Sequence, residues 1–206
     1  MTVAHGQLRH WVLSAALVVF LCSCASFRGG RLPLAGPFPP ETRREPATKP
    51  CAYLDISTYQ ELYQGSQRRV FDPGFPSKVQ DIAVESRLFS SITTSRNRAD
   101  YIITIEVRDS WNKYYMDCCV GLSTALTLAL VPVPIKHRYA LDASVSDSEQ
   151  ELKQYHYEDY VTTWYGLIFL PISLFTTEVD DQVRDNMVQT LFHDIAKDGI
   201  LAEREK

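Results

Sequence analysis

An uncharged apolar run near the N-terminus sets the first limit on how this chain folds. It extends from Trp11 to Leu21 and follows Arg9, the only formal charge before Arg28. A helix of this length covers about 16 Å, whereas a hydrocarbon layer is about 30 Å thick, so a permanent span is not expected. A signal-peptide core has this length and these flanks. We therefore expect residues 1–23 to lie outside the folded domain.

The residues that end this run carry a more specific signal. Leu21-Cys22-Ser23-Cys24 resembles the bacterial lipobox, which has a branched apolar residue, a tolerant position, a small residue and then the lipidated cysteine. Cys22 departs from the Ala or Ser more usual at the tolerant position. The resemblance implies a diacylglyceryl group on the Cys24 thiol, cleavage before Cys24, and acylation of the freed amine. Ordinary cleavage after Ala25, with small residues at 23 and 25, is the alternative.

The residues after Cys24 bear on which membrane holds it. Ala25 and Ser26 follow the cysteine, with no aspartate at either position. In enterobacteria-like sorting an aspartate there retains a lipoprotein in the inner membrane. The resemblance therefore implies a lipid anchor in the outer membrane, on the periplasmic side.

Residues 24–50 are expected to form a tether. Six of the chain's 11 prolines lie there, together with five basic and two acidic residues. Prolines spread in this way disfavour a helix or a paired strand. As extended polyproline II, a tether of this length reaches about 80 Å.

Residues 51–206 are expected to form one periplasmic α/β (α+β) domain. The clearest strand runs from Tyr101 to Asp109, where apolar and polar residues alternate. A first strand around 53–57 precedes a helix that begins at Ser77, and a hairpin follows at about 139–162 with its turn at 147–150. A final helix extends to about Asp198, with Thr177 as its N-cap and Gly199 as its stop. The order β-α-β-β-β-α predicts a mixed four-stranded sheet with two helices.

Two charge-free apolar segments interrupt this pattern. They cover residues 118–135 and 164–175, and each contains proline. The strand order alone makes both segments leave the same end of the sheet. The residues that we single out as candidate membrane or partner contacts are Leu126, Leu128, Leu130, Trp164, Leu167 and Phe169.

Three interpretations of these segments stay open at this stage. They can fold back as part of the core, or form an apolar cap that meets the bilayer interface or a protein partner. Membrane spans are the least favoured, because the second segment is too short and a span would separate the strands of the hairpin. Trp111, Tyr114 and Tyr115 flank the first segment, as amphipathic aromatics do at a membrane boundary.

The sequence contains no strong motif for catalysis, metal binding or nucleic-acid binding. Cys118 and Cys119 form a pair without CxxC spacing, which is a poor metal motif. His156 and Glu158 share a strand face, and one register brings Asp142 opposite His156, which we interpret as an exposed charge pair. No nucleotide-loop, GxSxG or HExxH pattern occurs. The net charge of −4 disfavours general nucleic-acid binding. We expect no enzyme activity and no cofactor or metal.

The domain pattern is loosely similar to small α/β periplasmic lipoproteins of the curli-secretion-channel type. The similarity rests on strand order and on Ala99-Asp100-Tyr101 at the start of the clearest strand. The resulting hypothesis is a non-enzymatic envelope adaptor or assembly module, bound to the membrane through Cys24 and to lipid or protein through residues 118–135 and 164–175. The alternative is an oligomeric secretion or channel subunit, in which those segments associate between copies.

Overall fold

The fold is defined by a computed structural model that describes residues 24–38, 49–61, 67–70, 72, 74–111, 132–147, 150–165 and 179–201. Within these ranges the chain forms seven strands and two α-helices. The strands are β1 (Cys24–Arg28), β2 (Cys51–Glu61), β3 (Gln67–Arg69), β4 (Ser91–Thr93), β5 (Tyr101–Trp111), β6 (Val133–Ser146) and β7 (Glu151–Tyr165). The helices are α1 (Gly74–Ser86) and α2 (Val179–Asp198).

The strands form one mixed sheet in the order β1-β7-β6-β5-β2-β3, with β4 paired to β2. β2 runs parallel to β5, with Ala52 opposite Tyr101 and Glu61 opposite Ser110. A parallel pair is expected when a helix lies in the connection. β1 is antiparallel to β7, and β3 is antiparallel to β2. The predicted α+β class is therefore confirmed, and β1, β3 and β4 are short strands added to the four expected.

The predicted hairpin is formed by β6 and β7. The N–H of Asp147 donates to the carbonyl of Gln150 at 3.0 Å, and the N–H of Gln150 donates to the Asp147 carboxylate at 2.9 Å. Aspartate commonly closes turns in this way. The strands are longer than predicted, since β6 already begins at Val133 and β7 ends at Tyr165. Residues 133–135 and 164–165 of the two apolar segments therefore belong to strands.

The helix predicted from Ser77 begins three residues earlier, at Gly74. The carboxylate of Asp72 accepts from the backbone N–H groups of Gly74 and Phe75 at 3.1 and 3.3 Å. These bonds satisfy amides that the first turn leaves unpaired, which is the role of an N-cap. The predicted start at Ser77 is therefore wrong by three residues.

The chain divides into two compact units. The described residues of the first are 24–28, 111, 132–137, 161–165 and 179–180, and those of the second lie within 29–110, 138–160 and 181–201. Alternate residues of β5 and β6 and one face of each helix form the core of the second unit. Its fully buried side chains include Val79, Ile103, Ile105, Leu141, Val145, Val183, Met187, Leu191, Phe192 and Ile195.

The expectation that residues 24–50 form a tether without a paired strand is wrong for residues 24–28. These residues belong to β1, in which Cys24 lies opposite Tyr165 and Arg28 lies opposite Val161. The physical reason is that the prolines of this region begin only at Pro33, so every residue of β1 keeps its backbone N–H. β1 lies at the edge of the sheet, next to β7.

Candidate membrane-anchoring end of the sheet

One end of the sheet collects the features that the sequence links to membranes. We call it the anchored end and define it by Cys24, Trp111, Val133 and Tyr165. Cys24 begins β1 and lies opposite Tyr165, the last residue of β7. The Ser26 and Thr163 hydroxyls lie 2.9 Å apart across the same strand pair. The residue predicted to carry lipid is therefore held in the ladder beside the end of β7.

The strand directions explain why the chain leaves and re-enters the sheet at this end. Ser110 Oγ donates to the carbonyl of Arg138, and Ser146 Oγ donates to the carbonyl of Ile102. The numbers rise along β5 as they fall along β6, so the two strands are antiparallel. β5 therefore ends at Trp111 where β6 begins at Val133. The strand ends that flank both apolar segments thus meet at one end, as the strand order predicts.

The candidate contact residues are only partly within the described chain. Leu126, Leu128, Leu130, Leu167 and Phe169 lie outside the described residues, as do Cys118 and Cys119. Trp164 lies in β7, half-buried and opposite the fully buried Ala25. Phe27 follows on β1, opposite Thr162, with 42% of its surface exposed. Sequence reasoning missed Phe27 because it was assigned to the tether.

Residues 29–38, which we call the strap, continue from β1 and are docked on β7 and α2. The docking uses main-chain atoms of the strap. The contacts are Gly29 N to Tyr160 O (2.7 Å), Arg31 N to Asp159 Oδ1 (3.2 Å), Asn186 Nδ2 to Pro33 O (3.0 Å), Ala35 N to Asn186 Oδ1 (2.7 Å) and His193 Nε2 to Gly36 O (2.7 Å). Phe38 also stacks on His193 with ring centroids 4.4 Å apart.

Gly29 is required by the close approach of the strap to β7. A Cβ at this position would lie 2.3 Å from the nearest Tyr160 ring carbon. We expect Gly29→Val to lower the free energy of unfolding by about 1–3 kcal/mol, the usual cost of overpacking. Chemical denaturation measures the change. Gly36→Ala is the matched control, since nothing lies within 4 Å of a Cβ there. Equal stability of the two variants would contradict this geometry.

A row of charged side chains extends across β5, β6 and β7. Arg108 pairs with Asp142, whose other oxygen lies 2.6 Å from His156 Nδ1. His156 Nε2 lies 3.4 Å from Glu158, and Glu158 pairs with Arg31 of the strap at 3.3 Å. The register predicted for Asp142 and His156 is therefore confirmed. The His156 side chain is 54% exposed, and such exposed pairs contribute little to stability.

A second charged cluster joins the beginnings of the two helices. Arg184 bonds to Asp181 and, at 2.8 Å, to Asp72, while Lys78 lies 3.2 Å from Asp181. The hydrogen bond from Arg184 lowers the pKa of Asp181. Burial opposes ionisation of Asp72, but hydrogen bonds from Arg184 and two backbone amides outweigh it and lower its pKa. In Asp185 burial dominates and raises the pKa.

The described residues hold neither a metal-binding cluster nor a membrane-spanning helix. In that part of the chain, no group of three or more histidine, cysteine, aspartate or glutamate side chains is arranged to hold a metal ion. None of its helices is long and apolar enough to cross a membrane. Cys51 is a free cysteine at the start of β2, 3.3 Å from the Ser91 hydroxyl.

Comparisons with known proteins give a distant structural likeness and no sequence match. No family model and no curated protein matches the chain. A matching solved structure is the crystal structure of a Xanthomonas campestris protein described under the family model DUF330. It has 9% sequence identity and a TM-score of 0.36, and the match covers 70% of this chain and 79% of that one. This likeness is too distant to assign a family or a function.

Proposed function

We propose that this chain is a lipoprotein of the bacterial envelope, exported by residues 1–23 and lipidated on Cys24. Its role is that of a non-enzymatic adaptor or assembly module at the periplasmic side of the outer membrane. The anchored end contacts lipid or a protein partner.

The observation that carries this proposal is the pairing of Cys24 with Tyr165. The lipobox cysteine is thereby fixed at the end of the sheet where both charge-free segments begin or end. A single acyl chain anchors a protein only marginally, because each buried methylene contributes about 0.8 kcal/mol, so two or three chains or added apolar contacts are needed. Lipid on Cys24 and the strand ends that flank the apolar segments would therefore face the same bilayer.

Site-specific photocrosslinking in cells tests this function. We expect a photoreactive phenylalanine analogue at Phe27 or Phe169 to form adducts with phospholipid or with an envelope protein. The same analogue at Val84, which is 66% exposed on α1, is the control and should form none. The substitution at Phe27 is conservative, because the analogue keeps the aromatic ring of an exposed strand residue.

The products decide between the candidate functions. Adducts that contain lipid or a foreign protein support the adaptor. A ladder of adducts between copies of this chain would instead favour the oligomeric secretion or channel subunit. Equal labelling at Val84 and at the two phenylalanine positions would contradict a specific contact surface at the anchored end.

A further inference from the structure

The strap is recognised through its backbone. Five of its main-chain atoms, from Gly29 to Gly36, bond to β7 and α2, whereas Leu34 is 79% exposed. Its proline- and glycine-rich sequence cannot form a helix but suits an extended segment of this kind. The surface of β7 and α2 that contacts the strap therefore binds an extended segment, and that segment is residues 29–38.

Two of the receiving side chains are polar groups buried in otherwise apolar surroundings. Asp159 is 2% exposed and Asn186 is 4% exposed. Asn186 accepts from Ala35 N–H and donates to the Pro33 carbonyl, so both ends of its amide are used by the strap. Buried polar groups are costly without such partners, which makes a docked strap the favoured state.

We propose that residues 24–38 are a docked connection, not a free tether, and hold the anchored end directly against the phospholipid surface that carries the Cys24 lipid. β1 holds residues 24–28 on β7, and the strap holds residues 29–38 on β7 and α2. The placement at a bilayer rests on the proposed lipidation, whereas the docking does not. A free tether over residues 24–50 would reach about 80 Å and allow the domain to act far from its membrane. A docked one restricts it to the surface of the same bilayer.

Two insertions of equal length distinguish a docked connection from a free tether. A flexible Gly/Ser insert of about 20 residues, with a reach of roughly 25 Å, is added either after Cys24 or within residues 39–48. The first begins with Ala-Ser to preserve the residues that follow the lipidated cysteine. Purified full-length lipoprotein is reconstituted in phosphatidylethanolamine–phosphatidylglycerol vesicles. The photoreactive analogue replaces Trp164 of β7, which lies opposite Ala25 and follows both inserts in the chain, and Val84 is the control position.

We expect the insert after Cys24 to reduce lipid adducts from Trp164 to the level of the Val84 control. The insert within residues 39–48 should leave them unchanged, because it lies beyond the docked strap. A free tether would respond alike to the two inserts, since each lengthens it equally. An equal effect, or no effect of either insert, would therefore overturn the proposal.

Amide hydrogen exchange tests the docking independently of lipid. We expect slow exchange at Arg31 and Ala35, and acceleration at Ala35 in Asn186→Ala while the amides of β5 stay protected. Gln182→Ala, an exposed position of α2, is the control that should change neither. Fast exchange at Arg31 and Ala35 in the unaltered protein would overturn the docking. If the protein isolated from cells carried no lipid on Cys24 but still showed slow exchange at these amides, the docking would stand and the proposed lipidation would be refuted.

Discussion

Replacement of Cys24 by serine is expected to abolish incorporation of labelled palmitate and to leave an unprocessed precursor in cells. Serine has no thiol to accept the diacylglyceryl group, and the lipobox resemblance implies that cleavage follows lipid attachment. Metabolic labelling and the change in chain length on gels measure both steps. Any remaining membrane association should be that of the uncleaved N-terminal segment.

Cys22→Ser is the matched control for this experiment. It removes a thiol two residues earlier, at the tolerant position of the lipobox, and should leave labelling and processing unchanged. If Cys24→Ser were processed normally and the product still resisted carbonate extraction, the proposed anchor would be wrong. If Cys22→Ser lost the label as well, the assignment of the lipid to Cys24 alone would be wrong.

The second large effect is expected for Arg184→Met. Its side chain is only 22% exposed, packs its guanidinium 5.3 Å from the centre of the Phe75 ring, and bonds to Asp72 and Asp181. Removal of Arg184 leaves the carboxylates of Asp72 and Asp181, whose side chains are 32% and 42% exposed, without this counter-ion. Because water screens these carboxylates in part, we expect the free energy of unfolding to fall by about 1–3 kcal/mol, measured by denaturation at neutral pH. This is somewhat below the cost for a fully buried pair.

Lys153→Met is the control for Arg184→Met. Lys153 pairs with Asp198 at 2.7 Å, but its side chain is 43% exposed. An exposed pair of this kind contributes less than about 1 kcal/mol. Equal destabilisation by the two variants would contradict the assigned role of the Arg184 cluster.

The Arg184 cluster also predicts a pH dependence. The pKa values of Asp72 and Asp181 are lowered in the folded state, so their stabilisation is complete above the usual value near 3.8 and is lost as pH falls below it. Asp185 acts in the opposite direction, because its raised pKa makes its ionisation unfavourable in the fold. Arg184→Met should therefore flatten the acid limb of the stability curve. An acid limb as steep as that of the unaltered protein would contradict this.

Long, regular elements were predictable because their signals are local. The alternation of Ile103, Ile105 and Val107 identified β5, and Val183 and Leu191 identified the buried face of α2. Gly199 ends that helix with a φ of 69°, a conformation that glycine adopts without strain. The β6–β7 turn was predicted at residues 147–150, and the predicted proximity of Asp142 and His156 is observed at 2.6 Å.

The shorter and non-local features were not predictable in the same way. β3 and β4 each have three residues, too few for a periodic pattern. β1 and the strap lie in a proline-rich region, and their docking depends on groups more than a hundred residues away, such as Asp159 and Asn186. Nothing local distinguishes Asn186, a polar residue in an apolar helix face, from a solvent-facing one.

The candidate site was only partly predictable, because part of it depends on a pairing between distant residues. Strand order alone indicated that both apolar segments leave one end of the sheet, and the described strand ends agree. That Cys24 is held at this end follows only from the pairing of β1 with β7, which no sequence pattern signalled. Contacts of Leu128 and Phe169 stay predictions, since both lie outside the described residues.

The mass of the N-terminal peptide of the mature protein, purified from membranes, tests the central proposal most directly. We expect the peptide to begin at Cys24 and to carry a thioether-linked diacylglyceryl group, with or without a third acyl chain on the amine. An unmodified peptide that begins at Ser26 would establish ordinary secretion and remove the basis for holding this domain at a bilayer.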